Sequence, residues 1–95
     1  MCFEMTSQEE RITVLLSGAI GVKEAAGIRQ QLFPLIRQSS VDISFQLGQV
    51  TDMDSSGLGL LLAVKKIASD NRANVIFHDI PDSLRERFRL TGIWG

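Results

Sequence analysis

The sequence has few of the features that mark exported proteins. Its single cysteine, Cys2, cannot form a disulfide within the chain, so the disulfide framework of a small secreted domain is excluded. No apolar run reaches the ~18 residues that span a bilayer, and the N-terminal segment, MCFEMTSQEE, is acidic where a signal peptide is basic. We therefore expect a cytoplasmic chain without membrane insertion, in which the Cys2 thiol is inert.

The sequence also lacks an excess of positive charge. It has 10 Lys and Arg residues against 11 Asp and Glu residues, which gives a formal net charge of -1. Proteins that bind a nucleic-acid backbone usually carry a clustered cationic excess, and here only the short stretch with Arg85, Arg87 and Arg89 is basic. We expect no direct binding of nucleic acid.

The chain has 95 residues, 44% of them hydrophobic, which suits one core and one domain, residues 1–95. Alternation of apolar residues predicts strands at residues 11–17 and 41–47, the first of them ended by Gly18. Apolar residues at three- and four-residue intervals predict an amphipathic helix over residues 23–38, with Pro34 as a point of disturbance. The other predicted elements are an edge strand at 3–5, helices at 57–69 and 81–90, and a short strand at 74–77.

The order of these elements, β-β-α-β-α-β-α, predicts an α/β fold. Strand-helix-strand connections form right-handed crossovers between parallel strands, and the first two strands are close enough in sequence for a hairpin. We expect a mixed sheet of about four strands with helices packed on at least one face. A functional site is expected in a loop between elements, and residues 52–59 are the best candidate.

Residues 54–59, DSSGLG, lie where the strand at 41–47 leads towards the next helix. A side-chain oxygen of Asp54 or Ser55 can accept a hydrogen bond from an unpaired amide of the first turn, so a helix cap is the simplest interpretation. The same amides and the positive end of the helix dipole also stabilise an anion. A phosphoryl group here would add negative charge beside Asp52 and Asp54 and change binding rather than folding.

The segment VTDMDSSGLGLLL, residues 50–62, resembles the signature of STAS domains, especially bacterial anti-sigma factor antagonists. The resemblance extends through ISFQLGQV upstream and LRERFRLTGI downstream, and it implies a STAS fold and a non-catalytic protein-binding function. In that family an anti-sigma factor with serine kinase activity phosphorylates the serine after the aspartate, and a serine phosphatase reverses the reaction. The unphosphorylated form binds the anti-sigma factor and thereby releases a sigma factor.

By this resemblance Ser55 is the phosphorylation site, and the residues around it contact the partner. Asp54 is expected to orient the acceptor hydroxyl and Ser56 to shape or cap the turn, while the two glycines of the motif permit close approach of the partner's backbone. The expected partner-binding residues are Asp54, Ser56, Gly57, Leu58 and Gly59. No cofactor and no metal are expected.

The chain departs from the family pattern between Gly18 and Gly21. These residues read GAIG, where the antagonists usually read Gly-Glu-Leu-Asp, so both acidic side chains are absent. Gln46 stands where the family often has Asp or Asn. The sequence ends at Gly95, where many relatives continue into a further strand and helix, and this leaves a homodimer as an open alternative.

A second function is compatible with the same fold. The chain would then be a STAS accessory subunit or ligand sensor, for example of a transport system, and Ser55 would be only a helix cap. The missing acidic pair favours this alternative. At the C-terminus, Trp94 and Ile93 are as well suited to anchoring a partner as to packing on their own domain.

Two further site types fit the residues poorly. Residues 52–57 resemble the opening of an EF-hand calcium loop, but the twelfth position is Ala63 where a bidentate Glu is required. A serine hydrolase would need a general base near Ser55, and the one histidine, His78, has no orienting group or oxyanion motif with it. Neither calcium binding nor hydrolysis is expected.

Overall fold

Four strands and three helices follow the predicted order in a computed structural model of the chain, which describes residues 3–8, 10–38 and 41–93. The elements are β1 (Phe3–Gln8), β2 (Arg11–Ile20), α1 (Val22–Gln38), β3 (Asp42–Met53), α2 (Ser55–Asp70), β4 (Val75–His78) and α3 (Asp82–Thr91). The predicted α/β class is therefore confirmed. Cys2 and Trp94 lie outside the described residues.

The sheet is mixed, with strand order β1-β2-β3-β4. β1 and β2 form the expected antiparallel hairpin, whereas β2, β3 and β4 run parallel. Parallel neighbours need crossover connections, which α1 and α2 supply. Because the strand order advances in one direction, right-handed crossovers place both helices on the same face, where they pack against each other. The N-termini of α1 and α2 therefore lie at the same end of the sheet.

The core fills the space between this face and the helices. Alternate side chains of β2 are buried, as expected for a strand with one covered face: Ile12, Val14 and Leu16. Phe45 of β3 stacks on Phe77 of β4 with ring centroids 5.6 Å apart, and Phe88 of α3 meets Phe77 edge-on at 5.7 Å. These ring contacts anchor α3 to the same face of the sheet.

Strand β2 is longer than predicted, because Gly18 does not end it. The strand continues to Ile20, and Gly18 adopts a left-handed φ of 72°. Its pairing with β3 shifts register between Leu15 and Ser17 and again after Gly18. Glycine tolerates this conformation without strain, so it absorbs a bulge where another residue would break the pairing. Consequently β2 and β3 reach the candidate site together, with Ile20 opposite Met53.

Helix α1 passes through Pro34 and continues to Gln38. Proline has no amide hydrogen to donate to the carbonyl one turn earlier, which usually weakens a helix interior. Burial of Leu32 and Ile36 on either side of the exposed Pro34 keeps the helix intact across this gap. No helix in the described part of the chain is long and apolar enough to cross a membrane.

The starts of two helices differ from the prediction. α2 begins at Ser55, two residues before the predicted start at residue 57. α3 begins after Pro81, which occupies the N-cap position with an extended ψ of 144° instead of lying in the first turn. The earlier start of α2 matters for function, because it makes Ser55 the first helical residue.

Candidate functional site

Asp54 is the N-cap of helix α2. Its backbone is extended, and its Oδ1 accepts hydrogen bonds from the amides of Ser56 at 2.9 Å and Gly57 at 3.1 Å. The first turn of a helix leaves such amides without partners in the helix itself, and a capping carboxylate satisfies them. From the sequence alone, either Asp54 or Ser55 could cap the helix, and Ser56 is a further candidate. The structure assigns the cap to Asp54.

Ser55 is exposed at the first position of α2. Within the described part of the chain its hydroxyl makes no hydrogen bond. The alternative that Ser55 serves only as a helix cap is therefore wrong for this structure, since Asp54 has that function. The Ser55 hydroxyl is accessible, and the N-terminal end of the helix dipole beside it favours negative charge.

Gly57 is buried against the ends of β2 and β3. A Cβ atom at this position would lie 2.5 Å from Cγ of Met53 and 3.3 Å from the carbonyl oxygen of Ile20. The expectation that Gly57 permits close approach of a partner's backbone is thus corrected, because the close approach is between α2 and its own sheet. Gly59 differs, since it is exposed and a Cβ there would have no atom within 4 Å.

A groove between α1 and α2 opens beside Ser55. Its volume is about 730 Å³, and it is lined by Val22, Ala25, Ala26, Arg29 and Gln30 of α1 and by Ser55, Ser56 and Gly59 of α2. The groove exists because small side chains of both helices face each other here. At its mouth the Val22 side chain is 66% exposed, although it is apolar.

Glu24 supplies a carboxylate close to the place where the family's acidic pair is missing. Its Oε1 accepts a hydrogen bond from the Gly21 amide at 2.9 Å. A Cβ at Gly21 would lie 3.3 Å from that oxygen and 3.4 Å from Oδ2 of Asp54. An aspartate at position 21 would therefore stand between two carboxylates, and like charges repel. Gly21 together with the Glu24 carboxylate thus replaces the aspartate that the family usually has at position 21.

Sequence reasoning missed Glu24, although a signal was available. A residue that precedes a helix, followed three positions later by Glu, is the spacing of a capping box. Gly21 and Glu24 have this spacing at the start of α1, and the observed bond is the half of the box in which the Glu accepts from the N-cap amide.

Arg87 of α3 forms hydrogen bonds with the end of β3. Its Nη1 donates to the carbonyl oxygen of Met53 at 2.7 Å and to Oδ1 of Asp52 at 3.1 Å. The other two arginines of this basic stretch pair with carboxylates three residues earlier on the same helix: Arg85 with Asp82, and Arg89 with Glu86. Arg87 thus connects α3 to the residues that precede the Asp54 cap, which the sequence pattern did not indicate.

The structure places His78 and the acidic residues that a serine hydrolase or a calcium site would use. His78 ends β4 and pairs with Gln46 in the middle of β3, away from the end of β3 that leads to Ser55. Within residues 3–8, 10–38 and 41–93, no group of three or more His, Cys, Asp or Glu residues is placed to hold a metal ion.

Replacing Asp54 by alanine should lower the free energy of unfolding by about 1 kcal/mol, because two amides of α2 lose their partner. Urea unfolding followed by circular dichroism measures this change. Asp54→Asn is the matched control, since the amide oxygen can still accept both bonds, and it should stay within a few tenths of a kcal/mol of the wild type. An equal loss in both variants would contradict the capping geometry.

Comparison with known proteins identifies the family. The family model described as Mlab, STAS domain, matches residues 3–95. The chain belongs to the STAS domain family. Among its relatives, the anti-sigma-B factor antagonist of Staphylococcus aureus (strain NCTC 8325 / PS 47) is 28% identical over 90 residues, with 95% of this chain and 83% of the relative covered. That of Bacillus subtilis (strain 168) is 29% identical over 90 residues, with 95% and 82% covered.

Solved structures agree with this assignment at the level of the fold. The anti-sigma factor antagonist SpoIIAA in its unphosphorylated form superposes with a TM-score of 0.84 at 23% identity, covering 93% of this STAS chain and 82% of SpoIIAA. The phosphorylated form of the Bacillus cell fate determinant SpoIIAA gives a TM-score of 0.85 at 24% identity, covering 96% and 84%. The STAS fold inferred from residues 50–62 is confirmed.

Proposed function

We propose that this STAS domain is a non-catalytic anti-sigma factor antagonist controlled by phosphorylation of Ser55. In its unphosphorylated form it binds an anti-sigma factor with serine kinase activity, and a serine phosphatase restores this form after phosphorylation. The observation that carries the proposal is the exposed Ser55 hydroxyl at the first position of a helix that Asp54 caps. A cytoplasmic location is part of the proposal.

The modification is chemically straightforward at this position. Ser55 Oγ takes the γ-phosphoryl group of ATP and loses its proton, and ADP leaves. The phosphate adds about -1.5 to -2 charge, and the positive end of the α2 dipole stabilises it. The fold tolerates it because Ser55 is exposed and its hydroxyl makes no hydrogen bond within the described residues. We infer a switch that changes the surface and leaves the fold intact.

The surface around Ser55 has the character of a binding site. Exposed apolar residues lie on both helices: Val22 of α1, which is 66% exposed, lines the same groove as Ser55, and Leu62, which is 39% exposed, lies two turns further along α2. Apolar patches surrounded by polar residues are typical of protein interfaces. Of the expected partner-binding residues, Asp54, Ser56, Leu58 and Gly59 have accessible surface, whereas Gly57 is buried. The proposed interface therefore contains the first four, together with Val22.

The negative charges around Ser55 suit this switch. Asp54 is exposed, the Glu24 carboxylate lies next to Gly21, and Asp52 is exposed but paired with Arg87. A phosphate added among them would make the surface strongly acidic and would repel an acidic or closely packed partner. The anti-sigma-B factor antagonists among the relatives, and the phosphorylated form known for SpoIIAA, support the same reading.

Phosphate mapping by mass spectrometry tests the proposal. After incubation with the cognate kinase and Mg-ATP, we expect one phosphate on the peptide that contains Ser55, and none in Ser55→Ala. Ser56→Ala is the control for the position of the phosphate, because it removes the neighbouring hydroxyl and keeps the acceptor, and its phosphate should still map to Ser55. Phosphate that persists in Ser55→Ala would refute Ser55 as the acceptor.

A further inference from the structure

The groove between α1 and α2 contains one charged side chain among its described lining residues, that of Arg29. Its guanidinium carbon lies 5.2 Å from the centre of the Phe33 ring, one turn further along α1. Within the described part of the chain Arg29 forms no ion pair with a carboxylate. A stacked, solvent-exposed guanidinium without an anionic partner is free to change rotamer.

Ser55 lines the same groove from the opposite helix. Both helices have their N-termini at this end of the sheet, and side chains on a helix tilt towards its N-terminus. The Cα to Cβ direction of Arg29 thus points along the groove towards the end where Ser55 lies. In the contact with Phe33 the guanidinium of Arg29 lies towards the C-terminus of α1, away from Ser55. A change of rotamer would turn the guanidinium towards Ser55.

We propose that phosphorylation of Ser55 draws Arg29 across the groove, where its guanidinium binds the phosphate and closes the groove to the partner. This inference rests on the proposed phosphorylation of Ser55 and adds an internal partner for the phosphate. The planar guanidinium fork matches two phosphate oxygens at once, which a point charge such as lysine does not. The switch then acts both through added charge and through an occupied groove.

The charges around Ser55 make this pairing favourable. Asp54 and Glu24 are acidic and lie at the same end of the sheet, and they disfavour a second negative charge on the phosphate, whereas the charge of Asp52 there is offset by its ion pair with Arg87. Arg29 is the cation that shares a groove with Ser55. A bound guanidinium offsets this repulsion and favours the doubly ionised phosphate.

Phosphorus NMR measures this effect on the full chain with phosphoserine incorporated at position 55 during translation. We expect the midpoint of the phosphate titration to rise by about half a pH unit in Arg29→Gln, because the cation that favours the dianion is lost. Arg37→Gln is the matched control, since Arg37 is an exposed arginine in the last turn of the same helix and does not line the groove. It should keep the wild-type midpoint.

An unchanged midpoint in Arg29→Gln, or equal rises in both arginine variants, would overturn the assignment of Arg29. Circular dichroism at each pH verifies that the variants stay folded, which we expect because both side chains are exposed.

Partner affinity separates this inference from the function on which it rests. For each variant, the ratio of affinities without and with phosphoserine at position 55 is measured for the purified anti-sigma factor. We expect the ratio to fall several-fold in Arg29→Gln and to stay unchanged in Arg37→Gln. A wild-type ratio of one would refute the proposed function, whereas a large wild-type ratio with no change in Arg29→Gln would refute only the contribution of Arg29.

Discussion

Ser55→Asp is expected to lose the partner that Ser55→Ala retains. Both substitutions remove the hydroxyl at the exposed first position of α2, and only the aspartate adds negative charge. Coupling between two sites typically changes affinity by roughly 5- to 150-fold, and a carboxylate, with less charge than a phosphate, should give the lower part of this range. Capture of the anti-sigma factor on immobilised variants measures the difference.

Ser69→Asp is the control for charge alone. Ser69 is an exposed serine near the C-terminal end of the same helix, so its substitution adds equal charge far from Ser55. We expect it to retain the partner like the wild type. Equal recovery with Ser55→Ala and Ser55→Asp would count against the switch, and loss with Ser69→Asp would assign the effect to net charge instead of position.

Gly57→Ala should destabilise the domain by about 1 to 3 kcal/mol, as overpacking of a filled core does. Helix propensity alone predicts the reverse, since alanine is favoured over glycine in a helix by about 1 kcal/mol. The new methyl group would lie 2.5 Å from Cγ of Met53 and 3.3 Å from the backbone oxygen of Ile20. Met53 is itself 1% exposed, so it has little room to move.

Gly59→Ala is the matched control two residues further along the helix. Its methyl group would meet no atom within 4 Å, so the intrinsic preference should act unopposed and stabilise the domain by about 0.5 to 1 kcal/mol. Urea unfolding of both variants measures the two changes. Wild-type stability of Gly57→Ala would contradict the close packing of α2 on the ends of β2 and β3.

The elements of the fold were predictable because their local patterns agree with their final environment. Alternating apolar residues in β2 and β3 face one covered side of the sheet, and the helical periodicity of α1 follows its buried face. The extension of β2 past Gly18 was not predictable in the same way. Whether glycine ends a strand or absorbs a bulge depends on the register of the neighbouring strand, here β3.

The candidate site was found from a motif, but its internal roles needed the structure. Asp54 and Ser55 are both good capping residues, and the extended backbone at Asp54 decides between them. The burial of Gly57 had a detectable signal, because it shares the helical spacing of the buried residues Leu61, Val64 and Ala68. The groove that contains Arg29 had no detectable signal in the sequence, because it forms between two helices whose residues are distant in sequence.

The central claim is that a phosphate on Ser55 controls partner binding, and titration calorimetry tests it most directly. The purified anti-sigma factor is titrated with the full chain carrying serine or phosphoserine at position 55, without nucleotide turnover. We predict that phosphoserine weakens binding by at least fivefold while circular dichroism shows the same fold in both forms. Equal affinities for the two forms would contradict the claim.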